Sequence, residues 1–380
     1  RGPRRRSCPG AQPEARAPAM AGRRRLLWCC SLGVLPVVAW LFARLPPREA
    51  ALALAQCITT PLSLVGYFVV STGLQRMAPG AKVSPLRMLV WRWELHALGL
   101  REDPISYRMV RSMPWAPPLS ARLATVYLEP LRWLGQDLHN WAGYPYSRQG
   151  LAELKAVDLF PLRTQFIDTA FAASNSSQLV VLGAGFDTRA YIAGEGRRCF
   201  EVDIAPTQSA KLAALDAAGV PRSEVTYVPV NFNNESWLEA LTVAGFLPGL
   251  KTFFILEGVI YYLQAEAVNR TVEMIKQSAR GSILVLDYFT WDLVSGAQCG
   301  WLGKMMGTVG EPLSYGIGNH DDTQPARDWA EGHGLELCDE VLAGRQGHLA
   351  AMAVATPALA PGAGVVYWRR PSGGPAHVTT

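Results

Sequence analysis

Four short stretches of this 380-residue chain place groups able to hold a nucleoside at the ends of strand-like apolar runs. Gln178 to Leu182 runs out into Gly183-Ala184-Gly185-Phe186-Asp187-Thr188-Arg189, where two glycines let the backbone come close to a ligand. A dinucleotide fingerprint wants a third glycine where this chain has Thr188, so the pattern is incomplete for a pyrophosphate. Phe200-Glu201-Val202-Asp203 follows, its last acid 18 residues after Gly185. An acid at the end of a second strand can accept both hydroxyls of an adenosine ribose, which suits NAD or S-adenosylmethionine better than NADP. Val230-Asn231-Phe232 then offers an amide and a ring to border an adenine edge. Leu256-Glu257-Gly258 sets a carboxylate directly behind the apolar run Phe253 to Leu256, where it is costly unless it meets a cation or a donor. Each signal has a plain structural alternative: a tight turn for the glycines, a helix N-cap or strand end for the acids, an ordinary turn for Asn231.

The elements that must position these groups alternate in type. Strands are expected over Gln178–Leu182, Arg198–Asp203, Val225–Val230, Lys251–Glu257 and Ser282–Phe289, with helices over Glu153–Ala173, Thr207–Ala218, Ser236–Ala244 and Ala265–Ser278. A last helix over Gln324–Gly332 precedes strands over Leu335–Leu342 and Gly364–Arg369. This rhythm predicts an α/β fold: a doubly wound, mostly parallel sheet with a terminal hairpin, seven strands in all, whose ligand lies beyond the carboxyl ends of the strands. Between strand and helix, residues 290–322 mix Trp291, Trp301, Met305 and Met306 with glycines, a composition suited to a lid over an acceptor pocket. His320 there reads as a solvated loop residue.

Composition narrows the class of partner. With 49% hydrophobic and 18% charged residues the chain is globular and has a sizeable core. The net charge of +5 is misleading, because residues 1–48 hold ten arginines against Glu14 and the rest carries a small negative excess. No basic stripe interleaved with aromatics survives outside that leader, so a nucleic-acid partner is not expected. The seven cysteines include no C-x-x-C pair, and neither a disulfide framework nor a metal site is indicated. Residues 1–25 read as a basic, unstructured leader in which Met20 could be the initiator. Residues 26–74 hold two uncharged runs, Leu26–Ala43 and Ala50–Leu74, joined by Arg44-Leu45-Pro46-Pro47-Arg48. They predict membrane association, as a hairpin or single anchor; the alternatives are a targeting sequence cleaved near Ala53 or Ala55 on the way to an organelle or the secretory pathway, and a buried helix. Residues 75–150 are expected to be a helical connecting or cap region, 151–370 the catalytic domain and 371–380 a tail.

Phe160-Pro-Leu-Arg163-Thr164, Leu182-Gly-Ala-Gly-Phe-Asp187-Thr-Arg189-Ala-Tyr191, Phe200-Glu-Val-Asp203, Val228-Pro-Val-Asn231-Phe232 and Leu256-Glu-Gly-Val-Ile-Tyr-Tyr262-Leu263 occur in one order over roughly residues 155–345. This series resembles the leucine carboxyl methyltransferase family, including its bacterial S-adenosylmethionine-dependent branch. The resemblance implies a class I, Rossmann-like methyltransferase fold with S-adenosyl-L-methionine as cofactor. It implies that Arg163 holds the methionine carboxylate, Gly183 and Gly185 pass beneath the donor, and Asp203 takes the ribose hydroxyls. Asn231 and Phe232 would border the adenine, Glu257 would approach the donor's amino group, and Asp187 and Arg189 would stabilise the loop. Asn231 departs from the family's usual Asp, though an amide still offers adenine a donor and an acceptor. The apolar leader also departs from the protein-phosphatase enzyme of that family.

The main expectation is therefore O-methylation, at carboxyl or hydroxyl, of a small acceptor, a lipophilic one where the leader holds the chain at a membrane, with Tyr262 the candidate catalytic residue. A carboxylate acceptor needs no general base; a hydroxyl would, and Tyr261, Tyr262 or His320 could serve. Methylation of a protein C-terminal leucine, a nonenzymatic membrane-bound scaffold on the same fold and a dehydrogenase are the competing readings.

Overall fold

The computed structural model describes residues 47–134, 159–193, 196–297, 304, 306–308, 310–319, 322, 324–343 and 349–355. The chain divides into a unit ending at Ala55 and one running from Gln56, and the second holds the sheet and every candidate site residue that is described. Its helical layer comprises the end of α1 (Pro47–Met77), then α2 (Ser84–Ala97), α3 (Pro104–Arg111), α4 (Pro118–Ala124) and α5 (Leu128–Leu134). A proline in the first turn sets the start of α2, α3 and α4, where its missing N–H costs nothing. Asp103 caps α3 by accepting from Ser106 N–H at 2.9 Å.

The sheet follows α6 (Leu159–Ala173). It comprises β1 (Gln178–Leu182), β2 (Arg198–Asp203), β3 (Val225–Pro229), β4 (Thr252–Leu256) and β5 (Ile283–Phe289), all parallel, in the order β3-β2-β1-β4-β5. Helices α7 (Ala205–Ala217), α8 (Trp237–Val243) and α9 (Ala265–Ile275) make the crossovers. Short α10 (Trp291–Val294) and α11 (Pro325–Gly332) lead to β6 (Glu336–Ala343) and β7 (Leu349–Ala355), which continue the sheet antiparallel as β5-β7-β6. The hairpin partner of β6 is thus 349–355; the strand expected over Gly364–Arg369 lies outside the described residues. So do His320, Trp301, Met305 and the apolar run Leu26–Ala43.

Alternation along buried strands divides the core into two faces. Val180 and Leu182, Phe254 and Leu256, Leu284 and Leu286 point to one cluster, completed by Trp237, Val268 and Val272 from α8 and α9. Leu179 and Val181, Phe253 and Ile255, Ile283 and Val285 point to the other, with Cys199 and with Ile167 from α6. Burial on both faces explains why Phe253–Leu256 of β4 and Ile283–Leu286 of β5 read as continuous apolar runs. Chain direction through the sheet reverses between β1 and β4, which opens a crevice beyond their carboxyl ends.

Candidate active site

That crevice holds a cavity of about 320 Å³, within the range of small-molecule sites. Gly183 beyond β1, Asp203 at the end of β2, Asn231 and Phe232 beyond β3, and Tyr262 beyond β4 all line it. Residues from four separate stretches of the sequence therefore meet at one sheet edge. Gly183 has φ +71°, and a Cβ there would stand 2.2 Å from a methyl of Val259. Only glycine fits both the left-handed backbone and the space.

Asp203 is 8% exposed. Its Oδ2 accepts from Gly185 N–H at 2.5 Å and its Oδ1 from Ile204 N–H at 2.7 Å. Burial pushes the carboxyl up to about 6 although these amides, Lys211 and Lys82 pull the other way. Gly185 is not in the cavity lining: a Cβ on it would stand 2.6 Å from Pro85 Cβ of α2, so this glycine admits the helical layer. Asn231 is exposed, with its N–H donating to Glu235 at 2.6 Å and its Oδ1 accepting from Asn233 N–H at 3.1 Å. Phe232 is buried beside it.

Arg163 and Glu257 lie one layer deeper. Arg163 is 1% exposed and pairs with Asp287 at 2.5 Å and Glu257 at 2.9 Å. Glu257 also meets Arg92 at 2.9 Å and Arg189 at 2.5 Å, while Asp187 joins Arg92 at 2.8 Å and Arg189 at 2.6 Å. Burial alone would raise the Glu257 pKa, but Arg189, Arg92 and Arg163 hold it well below the carboxylate range. This network underlies the cavity through Gly258, whose N–H donates to Asp287 at 2.6 Å and which itself lines the cavity. The cost expected for a carboxylate behind Phe253–Leu256 is met by three guanidiniums, one of them, Arg92, from the helical layer.

The cavity's roof brings together the expected cap region and the segment 290–322 expected as a lid. Lys82, from the strap between α1 and α2, and Ser84 and Pro85, from the first turn of α2, line it together with Gly310, Glu311 and Pro312. Lys82 N–H donates to Thr207 Oγ1 at 3.1 Å, and its Nζ to the Gly310 carbonyl at 3.3 Å. Glu311 is buried; its Oε1 accepts from Val83 N–H at 2.8 Å and Ser84 N–H at 3.3 Å. Its Oε2 is buried without a hydrogen-bond partner among the described residues, an acceptor in the cavity wall awaiting a donor. Tyr262 bonds the Ser84 side chain, and burial together with Glu311 holds its phenol above the ordinary range.

Residues 127–276 match the leucine carboxyl methyltransferase family. A Mycolicibacterium smegmatis protein named as an S-adenosyl-L-methionine-dependent methyltransferase is 31% identical over half of this chain and 72% of its own length. One of Mycobacterium avium with the same name is 32% identical over 58% of this chain and 69% of its own. Solved structures align loosely: an O-methyltransferase family protein of Burkholderia thailandensis is 15% identical with a TM-score of 0.40, covering 78% of this chain and 94% of that one. Identity of that level across two thirds and more of the mycobacterial proteins, with five parallel strands and their crossovers in place, makes this chain a member of the leucine carboxyl methyltransferase family and an α/β methyltransferase.

Proposed function

We propose that the chain uses S-adenosyl-L-methionine to methylate an oxygen, carboxyl or hydroxyl, of a small lipophilic acceptor at a membrane. The observation that carries this reading is the cavity at the sheet's switch point, lined by Asp203 and by Glu311, whose Oε2 is buried without a hydrogen-bond partner among the described residues. These groups fit a cationic, hydroxyl-bearing donor: carboxylates accept from ribose hydroxyls and from an ammonium group.

In this reading Asp203 takes the ribose hydroxyls while Asn231 and Phe232 border the adenine. Gly183 gives close backbone approach, and Gly185 fixes Asp203 through its N–H. Arg163 and Glu257 act on the methionine end by exchanging one of their present ion pairs for the ligand. The donor supplies an electrophilic methyl group. The protein's share is to align the acceptor oxygen and exclude water, which the strap and Glu311 serve. Tyr262, protonated at neutral pH, is suited to orient an acceptor oxygen as a hydrogen-bond donor and poorly suited to be a general base. A carboxylate acceptor is favoured for that reason.

Calorimetric titration of the full chain with S-adenosylmethionine, S-adenosylhomocysteine and NAD tests the reading. Binding of both sulfur ligands, abolished in Asp203→Ala, is expected. Binding of NAD alone, or of neither sulfur ligand by a folded protein, would overturn it.

A further inference from the structure

α1 is apolar on every side. From Ala50 to Leu74 it carries no charged residue, yet from Ser63 onward its buried positions form one stripe of Ser63, Gly66, Val70 and Leu74, spaced by three and four. The stripe is fitted closely to the helical layer. A Cβ on Gly66 would stand 2.3 Å from Ala124 N, and one on Gly73 2.1 Å from the Trp115 carbonyl oxygen. Ser63 Oγ accepts from Tyr127 N–H at 3.0 Å. On the remaining sides Ile58, Leu62, Val65, Phe68 and Val69 are exposed, Phe68 by 70%.

A bilayer-spanning role conflicts with this packing. The stripe begins at Ser63, so only 16 residues of α1 (47–62) precede it, and they would extend about 24 Å, short of a hydrocarbon core of about 30 Å. A second copy of the chain is disfavoured by charge. Residues 75–134, which hold the layer packed on α1, carry nine Lys and Arg against four Asp and Glu, and two such layers brought together would repel. The same excess attracts an anionic lipid surface. The layer also exposes Trp133 by 82% and Leu119 by 67%, side chains of the kind that settle at a headgroup boundary.

We propose that α1 lies in the plane of an anionic bilayer surface, its outer face in the boundary between headgroups and acyl chains, and does not cross it. The inference deepens the membrane reading above and rests on it. It gives that reading a geometry: the strap over the cavity begins at Gly80, three residues after α1 ends at Met77, so the roof of the site is tethered to the lipid-bound helix. A lipophilic acceptor could pass from the bilayer edge to the cavity without crossing water.

Depth measurement on the full chain tests it. A fluorophore is attached at Ile58→Cys or Val69→Cys, both in a background with all seven native cysteines replaced by serine, and quenched by nitroxides at known depths in phosphatidylcholine vesicles with and without phosphatidylserine. The expected result is the same shallow depth at both positions, about 5–10 Å below the headgroups, with binding several-fold stronger on the anionic vesicles. Depths differing by about 16 Å, the rise over those 11 residues, would show a spanning helix and overturn the proposal. Absence of lipid quenching with concentration-dependent self-association would overturn it in favour of a second copy. S-adenosylhomocysteine titration of the same labelled proteins keeps this outcome separate from a failure of the methyltransferase reading.

Discussion

Beneath the cavity Arg92, Arg163 and Arg189 are locked against Asp187, Glu257 and Asp287, all nearly excluded from water. Above it, the strap from Gly80 and the first turn of α2 are held by Glu311, Thr207 and a single lysine contact to Gly310. The floor is a set of mutually compensating buried charges in which removal of one leaves others stranded. The roof is a handful of hydrogen bonds at a half-exposed edge, each worth about 1–2 kcal/mol. The floor thus belongs to folding as much as to ligand binding, whereas the roof's bonds involve no strand of the sheet.

Glu257→Ala probes that difference most severely. It removes one of two carboxylate partners from Arg92 and from Arg163 and one of three from Arg189, leaving the buried cluster with excess positive charge. A loss of about 3–5 kcal/mol is expected, read as a fall in melting temperature on the order of 10 °C. An unchanged melt accompanied by weaker S-adenosylhomocysteine binding would show that Glu257 serves the ligand alone. Glu311→Ala is the matched test of the roof. The melt should shift by no more than a few degrees, while affinity for S-adenosylhomocysteine falls roughly 5- to 30-fold as the strap loses two charge-assisted bonds. Glu311→Gln, which keeps an acceptor for Val83 and Ser84, should recover part of the loss. A melt that falls as far as in Glu257→Ala would erase the distinction.

The same contrast decides what could be read from sequence. Gly183, Asp203, Asn231 and Phe232 were legible because each ends a strand of a parallel sheet, and such ends converge by topology alone. Glu257 was legible as a costly charge, but its partners were not: Arg92 stands in the run Leu89-Val90-Trp91-Arg92-Trp93, and nothing in helical periodicity says that this arginine reaches β4. A charge between two tryptophans in an apolar helix was the available signal. Glu311 lies in Gly310-Glu311-Pro312, an ordinary loop string whose role depends on contacts with residues more than two hundred positions away. The second strand of the terminal hairpin was missed for a local reason. Leu349-Ala350-Ala351-Met352-Ala353-Val354-Ala355 is rich in alanine, a residue depleted in strands, and is held there by pairing with β5 and β6.

A smaller effect separates Asp203 from the paired acids below it. Its pKa near 6 lies above the ordinary value because burial outweighs its two amide donors, whereas Glu257 is driven the other way by guanidiniums. If ribose binding needs the ionised form, S-adenosylhomocysteine affinity should be flat above pH 7 and fall about tenfold by pH 5. Asp203→Asn should bind weakly with no such dependence. A wild-type profile flat to pH 5 would break the link between this carboxyl and the ligand.

The smallest effect is one of stability, and it has the opposite sign from the floor. Glu94 of α2 is buried with no ion pair among the described residues; it accepts from Tyr127 OH at 2.8 Å, and burial raises it to about 7. An acid with its folded pKa above its unfolded value favours the folded state fully below the unfolded value, near 4.5. That contribution is lost as pH rises through 7. Glu94→Gln retains an acceptor for Tyr127 and never bears the charge. It should therefore match the wild type near pH 5 and exceed it by about 1 kcal/mol at pH 6, a rise of a few degrees in melting temperature. Loss of stability at both pH values would mean that the carboxylate, despite its burial, is held by charge as the floor is.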